Sequence, residues 1–111
     1  MKALRKKNDF RVGDILKEAL LKLGKPAIEG WISVLEDANT DIRHLAATAL
    51  REIDDPRSIP SLIEAINDEE SRVRNSVRYA LESLTGKKLA EDQDAWQKWW
   101  EENKERFKDK N

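Results

Sequence analysis

The sequence predicts an all-α fold, a short right-handed α-α superhelix of antiparallel helix pairs (an α-solenoid) closed by a Trp-rich helix. Three observations carry that expectation. Residues 26–53 and 56–84 repeat one pattern, shifted by 30 to 31 positions: Pro26 answers to Pro56, Ile28 to Ile59, Ile32 to Ile63, Asp37 to Asp68, Arg43 to Arg74, and Ala49-Leu50 to Ala80-Leu81. A period of that length marks arrays whose units bury their apolar faces against one another. Apolar residues also step by three and four through most of the chain, as on one face of a helix. Finally, no stretch alternates cleanly with period two, and no Asn-Gly or Asp-Gly hairpin turn occurs.

The elements follow in order. Residues 1–8 form a basic arm with Lys2, Arg5, Lys6 and Lys7, too poor in apolar positions for a paired helix. Val12, Ile15, Leu16, Ala19, Leu20 and Leu23 place a helix over 9–23, a half repeat. Ile28, Trp31, Ile32 and Leu35 make one face of a helix over 26–36, with Pro26 at its start where a missing N–H costs little. Ile42, Leu45, Ala46, Ala49, Leu50 and Ile53 define a helix over 41–53, capped by Thr40 or Asp41. Gly24 and Gly86 suit the position after a helix, whereas Asp54-Asp55 stands there in the middle copy, so that turn is expected to close differently. A helix over 57–67 carries Ile59, Leu62, Ile63 and Ile66. The next, over 71–85, carries Val73, Val77, Ala80, Leu81 and Leu84, with Asp68 or Ser71 as cap.

After a polar linker the code changes. Trp96, Trp99, Trp100, Asn103 and Phe107 fall at i, i+3, i+4, i+7 and i+11, one face of a helix over 93–107 with Asp92 or Asp94 as cap. A repeat array leaves an apolar end that a terminal element must cover. Each aromatic side chain buries about 150–250 Å², so Trp96, Trp99, Trp100 and Phe107 are expected to cap the array within the segment 92–108. The alternative is that Trp99 or Trp100 stays exposed as a binding anchor, because neighbours diverge by about 100° around a helix.

Composition narrows the function. The chain of 111 residues is 39% charged yet carries a net charge of only −1, which does not favour nucleic acid as a partner. It has no Cys, no apolar leader and no apolar run long enough for a membrane span; a cytoplasmic protein of one domain is expected. His44 lacks a second His or any Cys and reads as a solvated surface residue. Glu64–Asp68 and Glu101–Glu105 lack further ligands and read as solvated carboxylates. No phosphate-binding loop or nucleophile elbow is present, so no catalytic residue, metal or cofactor is expected.

The stretch RSIPSLIEAINDEESRVRNSVRYALESLTG, residues 57–86, and its weaker copy at 26–53 resemble the HEAT repeat, most closely the short bacterial, archaeal and cyanobacterial form related to phycobilin-lyase subunits. The resemblance implies helix pairs joined by tight turns. It also implies a structural ladder in which Asp37 and Asp68 serve the turns and pair with Arg43 and Arg74 of their own or the adjoining repeat. The ladder breaks at Gly13, where an Arg is expected. The long helices of such arrays line a concave face, which marks Leu21, His44, Arg51, Asn75, Arg78 and Glu82 as candidate partner contacts. The function implied is a non-enzymatic scaffold, a monomer that holds another protein. The alternative is an accessory subunit of a bilin-chromophore lyase or another enzyme complex.

Overall fold

The structure, a computed structural model, describes residues 22–23 and 27–108. Within these, helix α1 (Ile28–Ser33) runs on into a 3₁₀ turn at Val34–Glu36, and α2 spans Thr40–Ile53. A 3₁₀ turn at Pro56–Ser58 leads into α3 (Ile59–Ala65); α4 (Ser71–Thr85) and α5 (Gln93–Lys108) complete the order. Lys22 and Leu23 are helical, and Leu23, an intended member of the first apolar stripe, is exposed. The basic arm 1–8 and most of the half repeat 9–23 lie outside the described residues.

The short helices are shorter than their periodicity suggests because their last turns tighten. Asp37 N–H donates to Val34 O at 3.2 Å and Ile66 N–H to Ile63 O at 3.3 Å, i→i+3 bonds that turn the chain sharply before the long helix begins. The long helices start from other caps than the expected ones. Asn39 precedes α2, and its side-chain oxygen accepts from the N–H of Asp41 at 2.8 Å and of Ile42 at 3.3 Å. Glu70 precedes α4 without a side-chain cap bond. Asp37 and Asp68 instead each brace the turn two residues on, accepting from Asn39 N–H at 2.8 Å and Glu70 N–H at 2.9 Å.

The turn after α2 closes in the same way as its copy after α4, contrary to expectation. Gly86 ends α4 in the left-handed region at φ 76°, and Asp54 ends α2 there as well, at φ 57° and ψ 50°. In both, the cap N–H reaches back to a carbonyl four residues earlier. Asp tolerates this conformation better than most residues, though still with strain. Asp54 is exposed, so Asp54→Gly is expected to stabilise the fold by about 0.5 kcal/mol, read as a raised urea midpoint. An unchanged or lowered midpoint would refute the strain argument.

α2 packs along α4, α1 packs on α2, and α3 packs on both α4 and α5. The long helices thus lie side by side in one layer and the short helices pack against them, with α5 set against α3. The core runs through the array from Trp31 to Trp96 and includes Leu50, Ile59, Leu62, Ile63, Val77 and Leu81, all essentially inaccessible. α2 is buried on a wider arc than its stripe suggests. Ala46, Ala47 and Ala49 are all fully buried, because an inner helix of an array has neighbours on two sides, and small residues there let α4 approach closely.

Candidate functional site

Arg43 and Arg74 occupy equivalent places, 31 residues apart, at the starts of the long helices. Each sends Nη1 to the carbonyl of the preceding turn: Arg43 to Asp37 O at 2.8 Å and Arg74 to Asp68 O at 2.7 Å. Each sends Nε onward to the following unit. Arg43 Nε donates to Asp68 Oδ2 at 2.7 Å while Nη2 donates to Oδ1 at 3.2 Å, a two-point contact across the repeat boundary. This hydrogen bond raises the Arg43 pKa further above its ordinary range, against the opposing effect of burial. Arg74 has no third repeat to meet. Its Nε donates to Glu91 Oε1 at 3.2 Å, so the linker before α5 supplies the carboxylate that a further repeat would supply. Glu91 was not evident from the sequence because it lies outside the repeat and on a side chain one methylene longer.

Trp96 joins α5 to the array. It is fully buried, and its Nε1–H donates to Ala90 O at 2.9 Å, while Ala90 itself adopts a positive φ of 56°. Trp100 and Phe107 pack on the margin of the core. Trp99 is half-buried and packs along its own helix, edge-on to Trp96 at 6.3 Å and to Phe107 at 5.8 Å. Asp92 caps α5, accepting from Ala95 N–H at 3.0 Å. Gln93 ties the helix to α3 by donating from Nε2 to Ile63 O at 3.0 Å.

The outer, solvent-facing side of α2 and α4, the side expected to be concave, carries the remaining sequence candidates, apart from Leu21, which lies outside the described residues. His44 is not a solvated residue. It is half-buried, with Nδ1 2.6 Å from Ser76 Oγ, because it sits in the seam between the two long helices and Ser76 approaches it from α4. Arg51 and Asn75 are exposed. Arg78 is half-buried within a local network: Nη1 donates to Glu82 Oε2 at 3.4 Å, Nη2 to Asn75 Oδ1 at 3.3 Å, and Nε lies 3.9 Å from Glu91 Oε2. Its guanidinium also stands 4.6 Å from the centre of the Tyr79 ring. Tyr79 is 50% exposed, the largest aromatic surface on this face. Its sequence position carried no assigned role, although its place off the apolar stripe of α4 was a usable sign.

Among the described residues no group of His, Cys, Asp and Glu is arranged to hold a metal ion, and no helix is long and apolar enough to cross a membrane. No curated protein and no solved structure matches the chain. A family model described as HEAT repeats matches residues 28–98, which spans the two repeats, the linker and the start of the Trp helix. That match reaches HEAT repeats at large and does not extend to phycobilin-lyase subunits. Paired helices at a 31-residue spacing, joined by repeated Arg-to-turn bonds and matched over most of the chain, establish that the protein belongs to the HEAT-repeat family.

Proposed function

We propose that the chain is a non-enzymatic interaction module that holds another protein against the outer face of α2 and α4, with Tyr79 as the anchor. HEAT repeats generally serve as protein-interaction scaffolds. The observation that carries the proposal is the half-exposed Tyr79 ring on α4, with the Arg78 guanidinium against it. Tyr offers a large contact area at small entropic cost and is enriched among residues that dominate interface energies. Asn75 and Glu82, one turn away on the same helix, and exposed Arg51 on α2 supply polar groups suited to a rim. In this reading the Asp–Arg rungs hold the repeats at a fixed angle, and the segment 92–108 closes the array.

The test is affinity capture from the native cell followed by titration of the captured protein against variants. Tyr79→Ala is expected to weaken binding at least about 30-fold, the scale of an anchor residue, and Arg51→Glu to weaken it less, mainly through the association rate. Arg78→Glu is a poor probe. It would set a carboxylate beside Glu82 and Glu91 and disturb the fold itself. Undiminished binding by Tyr79→Ala would place the partner elsewhere.

A further inference from the structure

A groove of about 880 Å³ opens along the edge where the short helices meet their turns, away from Tyr79. Its apolar floor is Ile32, Leu35 and Ala65, and Gln93 of α5 closes one end. Its walls carry the exposed carboxylates of Glu36, Asp37, Glu64 and Glu69. Among the described residues none of the four makes a direct ion pair, and only Glu69 feels the charge of Arg43. The one guanidinium in the groove, Arg43, is buried and wholly engaged by Asp68 and the turn carbonyls. Four exposed carboxylates without a direct ion pair among the described residues therefore line one groove of a chain whose net charge is −1.

From this groove we infer a second docking site, for a cationic protein segment that places an apolar side chain on the floor and Lys or Arg residues against the walls. The carboxylates do not converge as the ligands of a single metal ion, whereas charges spaced along a peptide can meet them one by one. The apolar floor separates this surface from a merely solvated acidic edge: a ligand with charge alone would leave it empty. Binding here leaves the outer face of α2 and α4 free, so one small module would hold two segments on different faces.

Fluorescence polarisation tests this with a labelled twelve-residue peptide of Lys and Leu in amphipathic order, alongside a Lys-only peptide of equal charge. Saturable, salt-sensitive binding of the Lys–Leu peptide is expected, with clearly weaker binding of the Lys-only one. The Glu36→Gln, Glu64→Gln, Glu69→Gln triple variant alters exposed side chains, and a circular dichroism melt verifies its fold. It is expected to weaken binding about tenfold, and Tyr79→Ala to leave it unchanged. Equal binding of the two peptides, equal binding by the triple variant, or displacement of the peptide by millimolar calcium alone would each overturn the inference. Loss on Tyr79→Ala would transfer the peptide to the outer face and also overturn it.

Discussion

Asp68→Ala is expected to lower the melting temperature by at least about 10 °C, one of the two largest effects of any single substitution in this chain. The Asp68 carboxylate takes two hydrogen bonds from Arg43, at 2.7 and 3.2 Å, and one from Glu70 N–H at 2.9 Å. Its side chain and that of Arg43 are 10% and 9% exposed. Removing one partner of such a pair leaves the other charge buried without its counter-ion, which costs far more than the pair itself contributes. Arg43→Lys is expected to recover little, because an ammonium cannot span Asp68, Asp37 O and Ala38 O at once. Asp68→Asn should fall between, since the amide oxygen can still accept from the turn. The exposed Arg72–Asp41 pair crosses the same repeat boundary and gives the contrast. Asp41→Ala is expected to shift the melt by no more than a few degrees. A shift on Asp68→Ala no larger than that of Asp41→Ala would refute the buried rung.

The repeat was legible because its apolar periodicity and its spacing of 31 are properties of the sequence itself. So were the Asp and Arg positions, and the geometry adds their pairing: Arg43 reaches forward to Asp68 while holding its own turn by its carbonyls. A one-dimensional pattern does not separate these options, because both partners lie at fixed spacings. His44 was misread for a related reason. Its place off the stripe implied solvent, but a helix inside an array has a second flank, and Ser76 occupies it. Caps were the least legible feature. Asn39, Thr40 and Asp41 are all capping residue types, so composition does not choose among them, and Glu70 precedes α4 without using its side chain as a cap although Ser71 follows it. Glu91 and Tyr79 lay outside the duplicated code, and only folding brings Glu91 to Arg74.

Trp96→Ala is expected to cost about 3–5 kcal/mol, read as a lowered urea midpoint at unchanged slope. A chain this small has roughly 5–10 kcal/mol of total stability, so much of the variant would be unfolded at physiological temperature. Two effects combine in this residue. The indole fills the space between α3, the end of the core and the linker, so its removal leaves a cavity at the last boundary of the array. It also donates to Ala90 O, in a linker held at positive φ. Trp96→Phe separates the two: most of the packing survives, the carbonyl loses its donor, and the expected cost is about 1–2 kcal/mol. Trp99→Ala removes a ring that packs mainly along its own helix and is expected to cost about 1 kcal/mol or less. If Trp99→Ala instead matched Trp96→Ala, all the rings would close the array alike. If Trp96→Ala were mild, Glu91 and Gln93 would be the contacts that hold α5 in place, and the aromatic face would be available for a partner.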